Sequence, residues 1–139
     1  MEINIAKHTN FLYVDDNDKS RLVMQLLMEK AMDAQFLTIF EDSADFMERV
    51  TALSPPPDVA LLDINVQPHD GFEMLEMLRK NPQLNHTKII AVTASVTNEE
   101  IEKLRDCGFD GGIGKPLRVT TFPSLINQIL NGETVWHVV

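Results

Sequence analysis

The chain has 139 residues, of which 44% are hydrophobic and 24% charged, a composition typical of one globular domain that excludes disordered and fibrous classes. Its formal net charge is −9, from 21 acidic and 12 basic side chains, so direct nucleic-acid binding is not expected. No apolar run reaches the ~18 residues of a membrane span and the amino terminus lacks a secretory signal, so we expect a cytoplasmic protein without membrane insertion.

Short apolar runs alternate along the chain with longer stretches in which apolar residues recur at spacings of three and four. Unbroken runs are typical of strands buried on both faces of a parallel sheet, and the longer spacing is typical of helices. The predicted strands are Phe11–Val14, Phe36–Phe40, Val59–Leu62, Ile89–Val92 and a weaker, glycine-rich fifth strand around Ile113.

A helix is predicted after each strand from its apolar face. The methionines on these faces are interpreted as core residues, and so is Cys107, the single cysteine of the chain. Thr97 and Glu100 have the spacing of a capping box, and Gly108 is typical of a helix end. The five faces contain Leu22, Val23, Leu26 and Leu27; Phe46, Met47 and Val50; Phe72, Leu75 and Leu78; Ile101 and Leu104; and Phe122, Leu125, Ile126, Ile129 and Leu130.

Strict alternation of five strands and five helices predicts an α/β domain with a doubly wound, five-stranded parallel sheet. Right-handed crossovers favour the strand order 2-1-3-4-5, which is the flavodoxin-like arrangement. We expect this domain to span residues 1–132 and residues 133–139 to form a tail, with no separate effector domain. Because the tail is apolar, it is expected either to pack on its own domain or to contact a second copy in a homodimer.

Polar residues follow four of the predicted strands at their carboxyl ends, where ligands gather in such sheets. Asp15 and Asp16 follow the first strand, Asp63 the third, Thr93 the fourth and Lys115 the fifth. Clustered carboxylates repel one another unless a cation neutralises them, and oxygen ligands without cysteine or nearby histidine favour Mg²⁺. A carboxylate beside Mg²⁺ and a lysine can attack phosphorus and become an aspartyl phosphate.

Each of these residues also has a purely structural interpretation. Asp15, Asp16 and Asp63 could form turns or helix caps, Thr93 could be a cap, and Lys115 a surface cation. Independent turn residues have no reason to fall at four strand ends of one sheet. Their joint placement therefore favours a shared site.

Four segments carry a resemblance to a known family. They are Phe11–Asn17, Val59–Asp63, Ile90–Ala94 and Gly114–Leu117, and their order and separations are specific in combination. On these segments the chain resembles the CheY-like receiver domains over essentially its whole length, as a single-domain response regulator of a bacterial two-component system. The resemblance implies the CheY-like fold and a phosphoacceptor that promotes only its own phosphorylation and dephosphorylation, and is otherwise not an enzyme.

Roles for individual residues follow from the resemblance alone. It implies Asp63 as the phosphoacceptor, Asp16 and Asp63 as direct Mg²⁺ ligands, and Asp15 as a ligand acting largely through water. The backbone carbonyl of Asn65 is implied as a further ligand of the metal. Asn65 and Ser95 take the positions that in the family flank the attacking water and set the rate of dephosphorylation.

The remaining implied roles concern the response to phosphorylation. Thr93 is implied as the hydroxyl that moves onto the phosphoryl group, and Lys115 as the ion-pair partner of that group. A sensor histidine kinase or histidine phosphotransfer protein is implied as the donor, and a downstream target protein as the recipient of the signal. Phosphorylation is expected to bias an existing two-state equilibrium.

Three departures from the family pattern affect these expectations. Gly112 lies three residues before Lys115, where the family usually has Tyr or Phe, so backbone movement of residues 111–114 is expected in place of an aromatic switch. Phe109 is interpreted as a core contact.

The second departure is in the loop after the phosphoacceptor, where Pro68 stands one position later than in the family pattern. This predicts an altered loop path with an intact site. His69 is interpreted as a loop histidine without a partner. The third departure is the apolar tail described above.

Other classes of protein fit the sequence less well. A phosphatase of the haloacid dehalogenase type would need an acid where Asn65 stands, and a flavodoxin-like electron carrier would bind phosphate where Asp15 and Asp16 repel it. A pseudo-receiver that acts only as an interaction module and a shuttle in a multistep phosphorelay remain alternatives to the phosphorylated regulator.

Overall fold

A parallel sheet forms the centre of the structure, a computed structural model in which residues 4–94 and 97–137 are described. Within these residues the sheet has six strands in the order β2-β1-β3-β4-β5-β6. The predicted order 2-1-3-4-5 is confirmed, and β6 is an addition at the edge next to β5. The strands are β1 Asn10–Val14, β2 Phe36–Phe40, β3 Val59–Asp63, β4 Lys88–Thr93, β5 Gly111–Gly114 and β6 Trp136–His137.

Helices cover both faces of the sheet. A π-helical turn at Leu27–Ala31 continues α2, and a 3-10 turn at Pro82–Leu84 precedes β4. The five predicted helices correspond to α2 through α6, and the short α1 is one more than predicted, since four residues are too few to give a periodic signal. The described α-helices are α1 Ile5–His8, α2 Asp18–Leu26, α3 Phe46–Thr51, α4 Gly71–Arg79, α5 Asn98–Cys107 and α6 Phe122–Leu130. None of the helices in the described part of the chain is long and apolar enough to cross a membrane.

Side-chain caps set where several helices begin. The side-chain oxygens of Asn17, Asp70 and Thr97 each accept a backbone N–H three residues further on, at the starts of α2, α4 and α5. Gly108 ends α5 with a φ of +106°, and the Phe109 N–H donates to the Leu104 carbonyl at 3.2 Å. The cap predicted at Thr97 and the helix end predicted at Gly108 are therefore confirmed.

Alternate residues of the central strands enter two apolar clusters, one on each face of the sheet. Phe11 and Tyr13 of β1 belong to the cluster that includes α2 and α6, whereas Leu12 and Val14 belong to the cluster that includes α3, α4 and α5. All four are almost fully buried. The interpretation of helix methionines as core residues is confirmed for Met24, Met28, Met32 and Met74.

The apolar face predicted on α2 is divided in the structure. Leu22, Val23 and Leu26 are 57%, 38% and 48% exposed, while Leu27 is buried together with Met24 and Met28. The helix packs on the sheet through the methionine stripe, which turns the other three residues away from the core. Cys107 is also exposed, so its interpretation as a core residue is wrong; it is the last residue of α5.

The tail packs against its own domain through β6. Gly112 pairs with Trp136, and the Gly112 N–H donates to the Val135 carbonyl at 2.8 Å. Val135 is buried in the cluster that includes α2 and α6. A Cβ atom on Gly111 would lie 2.7 Å from the Val135 carbonyl oxygen, so a glycine is needed for this close approach.

Candidate functional site

The parallel register places the carboxyl ends of β1, β3, β4 and β5 at one edge of the sheet. Asp63 of β3 pairs with Val92 of β4, and Thr93 of β4 pairs with Gly114 of β5. Asp15 follows β1 and Lys115 follows β5 directly. The structure therefore brings together four predicted site residues that are up to 100 positions apart in the sequence.

Three carboxylates form an acidic pocket at this edge. One oxygen from each of Asp15, Asp16 and Asp63 lies within 4.8 Å of the others. Asp15 is fully buried and Asp63 is 6% exposed, whereas Asp16 is exposed at the mouth. Oxygen-only donors with two buried anionic members suit a hard divalent cation, and the residues present fit Mg²⁺.

The ammonium group of Lys115 lies between two of these carboxylates. Its Nζ atom is 2.7 Å from Asp15 Oδ2 and 3.3 Å from Asp63 Oδ2. The lysine side chain is itself only 18% exposed, which strengthens both contacts. The Lys115–Pro116 peptide bond is cis.

Asp15 has further donors besides the lysine. The Tyr13 hydroxyl donates to Asp15 Oδ2, and the Asn17 N–H donates to Oδ1 at 2.9 Å. Tyr13 was not identified from the sequence, where it reads as one more residue of an apolar strand. Its position two residues before Asp15, on the same face of β1, is the signal that could have identified it.

Burial and these contacts separate the acidities of the two buried carboxyl groups. Burial raises the pKa of Asp63 above its ordinary value, and the nearby Asp15 carboxylate raises it further against the opposing effect of Lys115. Burial also acts to raise the pKa of Asp15, but hydrogen bonds from Lys115, Tyr13 and Asn17 hold it below its ordinary value. Asp15 is therefore the firmer anion of the pair.

The other predicted site residues lie around this pocket. Asn65 is exposed in the loop after β3, and its N–H donates to Asp63 Oδ1 at 3.3 Å. Thr93 is 4% exposed at the end of β4. Ser95 lies outside the described residues.

The loop between β3 and α4 is held by a serine that the sequence did not indicate. The buried Ser43 hydroxyl donates to the His69 carbonyl at 2.6 Å and accepts the His69 N–H at 2.7 Å. The His69 ring also has a partner, since Nδ1 lies 3.1 Å from Glu73 Oε2 and the hydrogen bond lowers the pKa of Glu73. The interpretation of His69 as a histidine without a partner is wrong.

The space beside Gly112 is filled by the tail. A Cβ atom on Gly112 would lie 3.1 Å and 3.3 Å from two ring atoms of Trp136. The Arg105 guanidinium lies 5.2 Å from the centroid of the same indole. Phe109 packs edge-on against Phe72 with centroids 5.9 Å apart, as expected for a core contact.

An apolar surface borders the acidic pocket. We call it the α2 surface; it comprises Val23, Leu26, Leu117 and Val119. A cavity of about 330 Å³ lies between this surface and Lys115. Exposed apolar side chains grouped beside a charged pocket are typical of a contact surface for another protein.

The chain belongs to the response regulator receiver domain family, whose family model matches residues 11–127. The fold, the strand order and the acidic pocket at the strand ends agree with this membership. The family is one of phosphoacceptor signalling domains in two-component systems.

Curated relatives include hybrid signal transduction histidine kinase D of Dictyostelium discoideum, 30% identical over 132 residues, covering 91% of this chain and 8% of that protein. The polar-differentiation response regulator DivK of Brucella ovis is 34% identical over 74 residues, which are 53% of this chain and 60% of DivK. This chain therefore spans less than two thirds of the length of these relatives.

Solved structures show the same fold. The signal receiver domain of a DNA binding response regulator from Colwellia psychrerythraea 34H superposes with a TM-score of 0.77 at 21% identity, covering 88% of this chain and 98% of that one. The chemotaxis response regulator CheY4 of Vibrio cholerae superposes with a TM-score of 0.76 at 21% identity, covering 87% and 98%.

We expect Asp63→Asn to stabilise the metal-free protein at neutral pH by about 1 kcal/mol. The pKa of Asp63 is higher in the folded protein than its value of 3.8 in the unfolded chain. The protonated carboxyl group therefore contributes stability below pH 3.8, and this contribution is lost as the pH rises through the pKa of the folded state. The Asn amide carries no charge at any of these pH values, so the variant does not lose this stability. Urea unfolding with a chelator measures the difference, with exposed Asp106→Asn as the control. A less stable Asp63→Asn protein at neutral pH would contradict the expectation.

Proposed function

We propose that this chain is a stand-alone response regulator receiver that accepts a phosphoryl group on Asp63 and signals through phosphorylation-dependent contacts with other proteins. The observation that carries the proposal is the Lys115 ammonium group lying 2.7 Å from Asp15 and 3.3 Å from Asp63 in an acidic pocket. A cation that contacts the acceptor carboxylate can move to the oxygens of a phosphoryl group attached there and stabilise their negative charge. In this proposal residues 1–132 form the receiver and residues 133–139 its tail, in a cytoplasmic protein.

The proposed reaction is a transfer from a phosphohistidine. An Asp63 carboxylate oxygen forms a bond to phosphorus as the bond between phosphorus and the histidine nitrogen breaks. The histidine ring, protonated on its other nitrogen, leaves as a neutral imidazole. Lys115 moves from the carboxylates toward the phosphoryl oxygens and balances their charge.

Mg²⁺ would be held by Asp16 and Asp63, by Asp15 through water and by the Asn65 carbonyl, and when bound it supplies further positive charge to the phosphoryl group. Thr93 would donate its hydroxyl to a phosphoryl oxygen from the end of β4. Asn65 and Ser95 would flank the water that later removes the group. The chain would act only on its own aspartate.

Intact-mass measurement with acetyl phosphate and Mg²⁺ tests the acceptor role. Wild type is expected to gain the mass of one phosphoryl group, and Asp63→Asn to gain none because an amide cannot form the acyl phosphate. Asp106→Asn, on the exposed side of α5, is expected to behave as wild type. If wild type gains no Asp63-dependent mass, with a histidine-kinase donor also present, the chain is instead a pseudo-receiver.

The histidine donor is proposed to dock on the α2 surface. The donor is a sensor histidine kinase or a phosphotransfer protein, and its phosphohistidine must come within bonding distance of Asp63. The α2 surface is exposed and apolar, and the cavity beside it reaches Lys115. We propose that it receives the apolar face of the helix that carries the phosphohistidine.

We expect Val23→Glu to slow transfer from a phosphorylated histidine donor by about tenfold or more. Docking of the donor would bury the new glutamate charge in an apolar interface, and this is unfavourable. Phosphorylation by acetyl phosphate, which needs no docking, is expected to stay within twofold of wild type. The matched control is Phe36→Glu: Phe36 is 53% exposed at the start of β2, on the sheet edge opposite to Asp63. Unchanged donor transfer in Val23→Glu would refute this docking surface.

The response to phosphorylation is proposed to reach the tail through β5. Lys115 directly follows β5, and its backbone N–H donates to the Thr93 carbonyl at 2.8 Å. Gly112 of the same strand contacts the Trp136 indole. Movement of Lys115 toward a phosphoryl group would shift β5, and β6 would respond because it pairs with β5 along only two residues.

Trp136 is the single tryptophan of the chain, so its fluorescence reports directly on β6. Phosphorylation of wild type is expected to shift the emission to longer wavelength as the indole leaves Gly112, and Asp63→Asn is expected to show no shift. Gly111→Ala, whose Cβ would lie 2.7 Å from the Val135 carbonyl oxygen, should start at the longer wavelength and not respond. Unchanged emission in fully phosphorylated wild type would favour a relay shuttle over an output through β6.

Dimerisation through the tail stays a prediction. Trp136 pairs with β5 of its own chain and Val135 is buried in its own core, so a tail that reached a second copy would first have to leave both places. The downstream target is proposed to recognise the surface around β5 and β6, where the shift would occur.

A further inference from the structure

Tyr13 contributes a polar group to the acidic pocket from within the hydrophobic core. Its side chain is fully buried and lies in the same apolar cluster as Met24, Val92 and Ile113. The hydroxyl donates to Asp15 Oδ2. Burying a hydroxyl is unfavourable unless it has a hydrogen-bond partner, and the carboxylate is a strong one.

Two donors share this one carboxylate oxygen. Asp15 Oδ2 accepts the Tyr13 hydroxyl and also the Lys115 ammonium, whose Nζ lies at 2.7 Å. The same Nζ lies at 3.3 Å from Asp63 Oδ2. Lys115 therefore holds Asp15 more closely than the proposed acceptor, and must loosen that contact to follow a phosphoryl group on Asp63.

Loosening this contact would be costly for an isolated buried carboxylate. Asp15 is fully buried, so bulk solvent does not reach the oxygen that loses a donor. The Asn17 N–H occupies the other oxygen at 2.9 Å and leaves Oδ2 to the tyrosine and the lysine. With Tyr13 in place, Oδ2 keeps one donor after the ammonium has moved.

We infer that Tyr13 is a positioning residue. Its hydroxyl remains as a donor to Asp15 Oδ2 when the Lys115 ammonium moves away, and this frees Lys115 for phosphoryl transfer. The inference rests on the proposed phosphoacceptor function and assigns it a residue from the interior of β1. Removing the hydroxyl would leave Lys115 as the sole donor to Oδ2 and hold the ammonium on Asp15. The maximal rate of phosphorylation would then fall, while the metal ligands would be unchanged.

The first test compares wild type with Tyr13→Phe, which removes one oxygen atom and keeps the ring. With acetyl phosphate, the maximal rate of phosphorylation is expected to fall about tenfold, the size of one lost hydrogen bond to a charged group. The Mg²⁺ concentration that gives half-maximal rate is expected to change by less than about twofold. The control is Phe11→Leu, a buried change two residues earlier on the same face of β1.

Three results of this test would overturn the inference. An unchanged maximal rate would make Tyr13 a packing residue, and a change confined to the Mg²⁺ requirement would make it a residue that positions the metal ligand. A maximal rate that falls equally in Phe11→Leu would assign the effect to core packing.

The second test needs no phosphorylation, so its outcome is separate from that of the proposed function. In urea unfolding, Tyr13→Phe and Lys115→Met each leave Asp15 Oδ2 one donor, and the double variant leaves it none. The double variant is therefore expected to lose more stability than the sum of the losses in the two single variants. The excess corresponds to about a tenfold further decrease in the folding equilibrium constant. The pair Phe11→Leu and Lys115→Met should be additive. Additive losses for Tyr13 and Lys115 would refute the shared-oxygen arrangement even if the chain is never phosphorylated.

Discussion

The contact of the Lys115 ammonium with two buried carboxylates is the interaction on which the rest of the site depends. Asp15 and Asp63 approach because β1 and β3 are neighbours in the sheet, and without a cation their charges would repel across a poorly solvated pocket. At 2.7 Å and 3.3 Å, one ammonium group contacts both carboxylates and reduces the repulsion between them. Because a lysine side chain is flexible, the same cation can also move when new negative charge arrives.

The sheet supports this contact through β5, and the same strand pairs with β6. Lys115 directly follows β5, a strand with glycines at positions 111, 112 and 114. The absence of side chains there lets β6 approach closely and lets Trp136 lie over Gly112. Trp136 of the tail, more than twenty positions further along the chain, thus fills the space beside Gly112 that a side chain on β5 would otherwise occupy.

The surface beside the pocket follows from how α2 packs. Met24 of α2, with Met28 of the following turn, faces the sheet, and this leaves Val23 and Leu26 exposed next to Leu117. Apolar exposure of this kind carries a cost in water unless a partner covers it. Because these exposed residues lie beside Lys115, we propose that they contact the histidine donor during phosphoryl transfer.

The sequence by itself determined where the first five strands lie along the chain and the chemical type of the site, because buried runs and the polar residues that end them are local features. Asp15, Asp63 and Lys115 could be identified in this way. Only the tertiary structure decided the direction in which α2 faces, the place of Trp136 and the role of Tyr13. Each depends on which distant side chain comes into contact, and an apolar residue in a strand or helix reads the same whether its neighbour is solvent, a glycine or a buried carboxylate.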